Sequence, residues 1–453
     1  MTDLIASNGE AATADAGPVT SAERIATLDT IRGVALFGIL LVNITAFGLP
    51  DAYFDPSNSG GSEGAPLYAW LTTLLFFEGT QRSLFALLFG AGVILLTSRM
   101  EARGAGIEVA DIYYRRNIWL VIFGMVHAYV LLWDGDILYQ YGIVALFLFP
   151  LRRALPRRLF ALGAGALLIS FAWLLADYVE IRDIAAASEE AWAVVDAGGE
   201  PTDEQVNTIE AWEEELEEAK PDEEQLQEAI DERTGSYWTF MQANASEVAE
   251  TQSWDFYRYI FLDVFAMMVF GMALFKLGLL TERLPLKIYW LMILVGYGVG
   301  LTANVYEART ILEADFGVVA FAKANVTYDV GRVGVTVGHL GVLLLWCHSG
   351  LTGWLKTRLA AVGRMALTNY VMHSVICLLV FSGIGFGLYG RLQRHELYVV
   401  VAGICLLQLI VSPIWLRYYR FGPLEWVWRS LTYRQRLDFR RAVPLTGSAG
   451  LPW

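Results

Sequence analysis

Apolar runs of roughly 18 residues or more recur along most of this chain. Runs of that length are typical of helices that cross a lipid bilayer. Charged residues form only 18% of the sequence, against about 25% in soluble proteins. This composition excludes a disordered, collagen-like or disulfide-stapled secreted protein, and we predict an all-α integral membrane protein with many spans.

Ten segments are apolar enough to count as candidate membrane spans. They cover residues 31–50, 67–98, 117–133, 137–151, 158–177, 257–280, 285–306, 332–349, 365–387 and 397–416. The second is too long for one straight crossing, since about 20 residues span the apolar core of a bilayer. Because the polar stretch from Glu78 to Arg82 interrupts it, we predict a long broken helix there.

The distribution of lysine and arginine predicts the orientation of the chain. With the N-terminus in the cytoplasm, inside segments carry 23 of the 33 basic residues and outside segments carry nine. Basic residues collect on the cytoplasmic side of membrane proteins. We therefore predict ten spans with both termini cytoplasmic in a bacterial inner membrane. No apolar stretch follows a basic start in residues 1–24, so the first span is expected to act as an uncleaved insertion signal.

The net charge of −14 comes from one segment. Between Asp177 and Asp255 there are 24 acidic and three basic residues, whereas the rest of the chain has an excess of seven basic residues. Residues 203–232 read as two charged helices separated at Lys220-Pro221, on the periplasmic side. A solvated helical hairpin covering the periplasmic mouth is one interpretation, and metal-ion buffering or docking of a partner is another. The predicted units are a disordered N-terminus (1–27), spans one to five (28–177), the acidic insert (178–254), spans six to ten (255–420) and a basic interfacial C-terminal segment (421–453).

Ionisable residues within spans are costly and are functional candidates for that reason. Asp29 and Arg32 begin span one. They can form an ordinary helix start, with Asp29 favoured by the helix dipole and Arg32 reaching the interface. Alternatively, Arg32 points into the bundle as a cation for an anionic ligand. Asn43, further along the span, needs a partner and can join helices or donate a hydrogen bond in a site.

Glu78 and Arg82 are spaced i, i+4, so they can pair on one helix face and brace the break in span two. The small residues Gly90 and Gly92 that follow predict close helix approach.

His127 lies within span three, and Asp134 and Asp136 follow in the turn after it. A carboxylate on one ring nitrogen raises the basicity of the other, so His127 is a candidate general base or acyl acceptor. A histidine hydrogen-bonded to helix backbone is the alternative. Haem binding is disfavoured, because His339 and His348 on span eight are about 13 Å apart along the helix axis. No metal-binding motif is present, so no metal site is predicted.

Two motifs near the C-terminus complete the candidates. Gly363-Arg364 and then Asn369-Tyr370 open span nine, and Glu425, Trp426 and Arg429 follow span ten. The basic tail can form an interfacial helix at anionic headgroups, or its arginines can bind the phosphates of a cytoplasmic cofactor.

Five motifs together resemble the YeiB-like family, the domain of unknown function 418. They are Leu28 to Asn43 with its Asp29-x-x-Arg32-Gly33 core, Leu84 to Gly92, His127 with Trp133 to Leu138, Gly363 to Tyr370, and Gly422 to Arg429. The Leu-Asp-x-x-Arg-Gly pattern is also similar to that of the lysosomal heparan-glucosaminide N-acetyltransferase. That likeness implies a transmembrane-acyltransferase-like bundle in which Asp29, Arg32 and Asn43 form the shared core. No histidine occurs in residues 44–77, where the lysosomal enzyme has its catalytic one, so His127 is the candidate here.

The resemblance implies acyl transfer from cytoplasmic acyl-CoA, such as acetyl-CoA, to an acceptor across the bilayer. The CoA phosphates are expected at Arg32, Arg364 and Arg429, and Asn369 and Tyr370 are further candidates for the binding site. Asn43 or Arg82 would stabilise the oxyanion, and Asp134 or Asp136 would orient His127. Asp29, Glu78, Glu425 and Trp426 are expected to be structural. The alternative is a transporter of a small solute without covalent chemistry. No nucleic-acid partner is expected, and the family likeness makes a homodimer plausible.

Overall fold

The computed structural model describes residues 25–282 and 284–441, and this part of the chain is built from helices. The first half contains α1 (Ala26–Gly48), α2 (Gly64–Phe76), α3 (Thr80–Ala102), α4 (Glu108–Tyr129), α5 (Ile137–Leu148), α6 (Pro156–Asp196), α7 (Asp203–Ala219) and α8 (Glu223–Thr234). The second half contains α9 (Tyr237–Glu250), α10 (Phe261–Lys276), α11 (Leu286–Glu313), α12 (Val318–Asn325), α13 (Tyr328–His348), α14 (Gly353–Arg364), α15 (Ala366–Phe381), α16 (Leu397–Tyr418) and α17 (Pro423–Tyr433). Residues 1–24 of the predicted disordered segment 1–27 lie outside the described residues. Residues 442–453 of the predicted C-terminal segment also lie outside them.

Several of these helices can cross a membrane. Within the described residues, seven helices or continuous helical segments are long and apolar enough, and the bent pair α14–α15 makes an eighth. Nine of the ten predicted spans each overlap one α-helix, and the second overlaps two, α2 and α3. Spans three and four correspond to α4 and α5, and α5 has only 12 residues. A multi-pass membrane protein is therefore confirmed, whereas the number ten and the orientation stay predictions.

The second span is broken where the sequence predicts it. Helix α2 ends at Phe76 and α3 begins at Thr80. Gly79 joins them with φ 63°, in the left-handed region that favours glycine. The polar stretch thus turns the chain instead of continuing one helix.

Glycines allow several helices to approach closely. A Cβ at Gly90 on α3 would overlap the carbonyl oxygen of Met268 on α10. Gly92 meets no heavy atom within 4 Å. The prediction of close approach is therefore confirmed at Gly90 and wrong at Gly92, because Gly92 faces away from the neighbouring helices.

A second close contact joins α1 to α14. A Cβ at Gly363 would overlap the carbonyl oxygen of Asp29, and one at Gly33 would overlap that of Leu359. Backbone atoms cannot move aside as a flexible side chain can. The glycines of two sequence motifs thus hold the start of α1 against the end of α14.

We expect Gly363→Ala to destabilise the protein by about 1–3 kcal/mol, because the added methyl group forces two packed helices apart. Thermal unfolding of the detergent-purified protein measures this. Gly403→Ala is the matched control, since Gly403 lies within α16 and meets no heavy atom within 4 Å. Equal melting temperatures for the two variants would contradict the role assigned to Gly363.

The acidic insert is helical, and its first helical segment is a continuation of the fifth span. Helix α6 is 41 residues long and continues without a break past residue 178 to Asp196, so the predicted boundary there does not interrupt the helix. Helices α7 and α8 match the two predicted charged helices. Both begin with a capping box, formed by Thr202 with Gln205 and by Asp222 with Gln225, which satisfies the free N–H groups of the first turn.

The bundle has two ends that differ in chemistry. At one end lie the start of α1, the start of α4 and helix α17, and we call this the basic face. At the other end the insert packs on the turn between α4 and α5, where Asn244 Nδ2 donates to Ala128 O at 3.1 Å and the Tyr237 hydroxyl donates to Val130 O at 3.0 Å. We call this the insert face.

Candidate functional site

Three polar side chains meet in the interior near the insert face. His127 Nδ1 lies 2.6 Å from Asp136 Oδ1, and His127 Nε2 lies 2.8 Å from Ser374 Oγ. All three residues are at most 2% exposed. The arrangement is that of a Ser-His-Asp triad, which is recognised by geometry and roles and not by order in the chain.

The local sequence explains how Asp136 meets His127. Asp136 is the N-cap of α5, and its Oδ2 accepts a hydrogen bond from the Tyr139 backbone N–H at 2.7 Å. This cap fixes the carboxylate and leaves Oδ1 facing the last turn of α4. Gly124, one turn before His127, lets α5 pack closely, because a Cβ there would overlap the Tyr139 backbone.

Ser374 is a candidate site residue that sequence reasoning missed. It lies on α15, 247 residues from His127. A lone serine in an apolar helix is usually explained by a hydrogen bond to the backbone of its own helix. Only the packing of α15 beside α4 reveals its partner.

The hydrogen bonds define what the triad can do. A carboxylate can only accept hydrogen bonds, so the hydrogen atom lies on His127 Nδ1, which donates it in a hydrogen bond to Asp136. His127 Nε2 is then free to accept the Ser374 hydroxyl proton. This is the arrangement that activates a serine oxygen as a nucleophile.

Aromatic residues enclose the triad. The Tyr370 ring contacts the His127 ring at 5.1 Å between centroids, and its hydroxyl accepts a hydrogen bond from Ile137 N at 3.1 Å. Trp133 stacks on Phe47 at 3.7 Å. Its indole nitrogen lies beside the Tyr370 hydroxyl, yet it is buried without meeting hydrogen-bond geometry to any described residue. The site thus holds a buried indole N–H donor next to the Tyr370 hydroxyl.

Two predicted members of the site lie elsewhere. The Asp134 carboxylate makes no hydrogen bond with His127 among the described contacts, and its Oδ1 lies 3.9 Å from Arg233 on the insert. Asp136 alone orients the histidine. Asn43 on α1 is half-buried and shows no side-chain hydrogen bond to another described residue, so the structure does not join it to the triad.

Arg82 belongs to a separate network of buried charges. Its guanidinium pairs with Asp263 at 2.7 Å, and the other oxygen of Asp263 lies 2.6 Å from Arg332. Arg332 also pairs with Asp329 at 2.6 Å. The Tyr141 hydroxyl donates to the Arg82 carbonyl at 2.8 Å, so the network lies next to the helix that carries Asp136.

Glu78 and Arg82 do not approach within ion-pair distance, although the Arg82 charge still acts on the Glu78 carboxylate. Helix α3 begins at Thr80, so Glu78 precedes the helix and the i, i+4 spacing no longer places the two side chains on one face. Glu78 instead accepts a hydrogen bond from the Tyr53 hydroxyl at 3.4 Å.

Arginines gather at the basic face. Arg32 pairs with Asp29 at 2.8 Å. The Arg116 guanidinium stacks over Trp428 at 3.7 Å, and the positive charges of Arg32 and Arg429 are each close enough to repel that of Arg116. Arg364 ends α14 beside the contact between Gly363 and Asp29. The structure therefore brings Arg32, Arg364 and Arg429 to one face, and it adds Arg116, which sequence reasoning missed.

A cavity of about 460 Å³ opens at the same face, between α4 and α17. Its walls include Arg115, Arg434 and Arg436 together with Trp119 and Trp426. Guanidinium groups pair with phosphates, and they share with aromatic rings the ability to stack on planar groups.

The remaining motif residues hold helices together. Glu425 caps the start of α15 by accepting hydrogen bonds from Leu367 N at 2.7 Å and Thr368 N at 3.1 Å. Trp426 donates its indole N–H to Leu437 O at 2.7 Å. Asn369 is predicted to contact the cofactor. In the structure its side-chain amide donates to Val362 O and Ser412 Oγ, both at 3.1 Å. These contacts support the 82° bend between α14 and α15.

Comparisons with known proteins place the chain in a family. Residues 274–435 match the model described as "Protein of unknown function (DUF418)". "Uncharacterized protein YxaH" of Bacillus subtilis (strain 168) is 29% identical over 92% of this chain and 96% of its own length. "Uncharacterized protein YeiB" of Escherichia coli (strain K12) is 31% identical over 91% of this chain and 97% of its own length. No solved structure matches. On these similarities, the chain belongs to the YeiB-like DUF418 family.

Proposed function

We propose that this protein is a membrane acyltransferase that takes an acyl group from acyl-CoA at the basic face and delivers it to an acceptor at the insert face. The observation that carries the proposal is the buried triad of Ser374, His127 and Asp136. Triads of this kind serve acyl transfer on unrelated folds. In the proposed orientation the basic face is cytoplasmic.

In the proposed reaction the acyl group passes through Ser374 in two stages. Ser374 Oγ attacks the thioester carbonyl while His127 Nε2 takes the hydroxyl proton. The carbon–sulfur bond then breaks, and the thiolate leaves with the proton from His127, which leaves an ester on Ser374. A hydroxyl or amine of the acceptor attacks that ester, its proton passes to His127, and Ser374 recovers the proton when it leaves.

This mechanism assigns His127 the role of base and Ser374 that of acyl carrier, because both ring nitrogens of His127 are already hydrogen-bonded. The Trp133 indole N–H is our candidate for stabilising the negative charge on the carbonyl oxygen. A preorganised donor in a dry site is worth far more than the same donor in water. Arg82, paired with Asp263, is less suited to this role than the sequence implies.

The arginines of the basic face are the proposed site for the CoA phosphates. Arg116 and His127 lie on the same helix, eleven residues or about 16 Å apart. An extended pantetheine arm covers a comparable distance. The donor would thus place its phosphates among Arg32, Arg116, Arg364 and Arg429 and its thioester at the triad.

Binding of CoA and acetyl-CoA to the detergent-purified protein tests the proposal. We expect micromolar binding that Arg116→Gln and Arg32→Ala each weaken by roughly 10- to 150-fold, which corresponds to losing one charge-assisted hydrogen bond. His127→Ala should leave binding of CoA intact. Arg182→Gln, an exposed change in the insert, is the control and should bind as the wild type does.

A transporter of a small solute is the second candidate, and the network of Arg82, Asp263 and Arg332 favours it. Buried charges beside an interrupted helix mark substrate sites in transporters. A transporter of an unrelated solute has no reason to bind CoA. Absence of CoA binding by the wild type would therefore exclude the acyltransferase in favour of this reading.

A further inference from the structure

Arg233, at the end of α8, enters the insert face of the bundle. Its Nη1 donates to the Ala46 carbonyl near the end of α1 at 2.8 Å. Its guanidinium carbon lies 4.9 Å from the centre of the Phe240 ring and 4.8 Å from that of Tyr389. Asp134, in the turn that carries the triad aspartate, lies 3.9 Å away.

Backbone contacts hold this part of the insert on the bundle. The Gly383 N–H donates to the Arg233 carbonyl at 3.2 Å. A Cβ at Gly383 would overlap the Thr234 carbonyl oxygen, so the two segments touch with no side chain between them. Together with the hydrogen bonds from Tyr237 to Val130 O and from Asn244 to Ala128 O, these contacts hold the end of the insert over the turn between α4 and α5.

Acidic side chains outnumber basic ones around Arg233, and burial together with the neighbouring Asp134 raises the pKa of one of them, Glu247, to about 7. Asp51, Asp134 and Glu247 all act electrostatically on its guanidinium. Burial lowers the pKa of Arg233, but Tyr389, Asp134 and Glu247 raise it by more, and the net shift is upward. Burial also raises the pKa of Asp51, against the opposing effect of Arg233. The surroundings therefore favour a cation at this position.

Most of these surroundings belong to the bundle and not to the insert. The Ala46 carbonyl, Asp134, Asp51 and the Tyr389 ring would remain if α8 moved away. A carbonyl at a helix C-terminus carries partial negative charge, and an aromatic face together with carboxylates is the chemistry that binds ammonium and guanidinium groups. Arg233 thus fills a cation site that the bundle provides.

We propose that the end of the insert is a lid, and that Arg233 occupies the site where the acceptor presents its own ammonium or guanidinium group once the lid lifts. This inference rests on the proposed acyl transfer for the identity of the ligand as the acceptor. It names the acceptor as a cationic compound arriving from the insert face. Asp134, separated from the triad aspartate only by Gly135, is the positioning residue that holds the cation at the turn which carries that aspartate.

Thiol labelling of a Ser374→Cys protein tests the lid and the charge of the site together. The three native cysteines are first replaced by alanine, at Cys347, Cys377 and Cys405. Two methanethiosulfonate reagents of similar size are compared, one carrying trimethylammonium and one carrying sulfonate. Neither the reagents nor the readout requires CoA or turnover, so the result is independent of the proposed function.

With Arg233 present, both reagents should label slowly. Arg233→Gln should speed labelling by the cationic reagent by at least about tenfold, because the unpaired carboxylates attract it, and should speed the anionic reagent much less. Adding Asp134→Asn should remove this preference. Arg233→Lys should stay slow, and Arg182→Gln in the same insert is the control.

Two results would overturn the proposal. Equal labelling with Arg233 and with Arg233→Gln would show that Arg233 does not close the mouth, and faster labelling without preference for the cation would show that no cation site exists. Hydrogen exchange of residues 237–250 in the protein with native Ser374 and native cysteines checks the lid separately. Arg233→Gln should accelerate exchange there, and unchanged exchange would contradict a lid.

Discussion

Replacing Ser374 with alanine should abolish transfer of a labelled acetyl group from acetyl-CoA to the purified protein. The change removes the oxygen that attacks the thioester, and loss of one triad member typically costs at least about 10³-fold in rate. The wild type should carry the acetyl group on the peptide that contains Ser374, as read by mass spectrometry. His127→Gln should lose the label for the same reason, because the serine then has no base.

Ser170→Ala is the matched control for this experiment. Ser170 is also a buried serine in an apolar helix, at 8% exposure on α6, but it has no place in the triad. Its acylation rate should equal that of the wild type. An acetyl group found on His127, and retained in Ser374→Ala, would reassign the acyl carrier to the histidine.

The second large effect is expected at Asp263. Asp263→Asn removes the carboxylate paired with Arg82 and one of the two carboxylates paired with Arg332, which keeps Asp329. Removing one partner of a fully buried ion pair typically costs about 3–5 kcal/mol, and we expect a loss at the lower end of this range because Arg82 is partly exposed and Arg332 stays paired. Unfolding of the purified protein in detergent, followed by tryptophan fluorescence, measures the loss.

Asp183→Asn is the control, since Asp183 forms an exposed ion pair with Arg182 and such pairs contribute little. Asp263→Glu keeps the charge and should lose less stability than Asp263→Asn. If Asp263→Asn unfolds no more readily than Asp183→Asn, the network does not stabilise the fold. Its buried charges would then be better explained as the substrate site of a transporter.

The sequence alone predicts the positions of the helices well. Apolar length locates each span, because the bilayer leaves backbone groups no partner outside their own helix. The break at Gly79 is also predictable, since polar residues and a glycine interrupt an apolar run. The pairing of Glu78 with Arg82 is not, because it depends on which residue begins α3.

In the candidate site, too, the sequence predicts some contacts and leaves others open. Asp136 lies nine residues after His127, at the start of the next helix, so a short turn brings the two together and the sequence can predict their contact. Whether Asp134 or Asp136 faces the histidine is decided by capping: Asp136 serves as the N-cap of α5, and Asp134 is drawn to Arg233 instead.

Apolar periodicity and short-range capping act within a few turns of chain, so the sequence predicts the class of protein, its helices and the closeness of His127 to the turn with Asp134 and Asp136. The identity of each long-range partner depends on helix packing, which no local pattern encodes. Ser374 meets His127, Asp263 meets Arg82 and Arg233 enters the insert face because helices far apart in the chain pack side by side. The cost of burying a polar group requires that each finds a partner, but it does not say which.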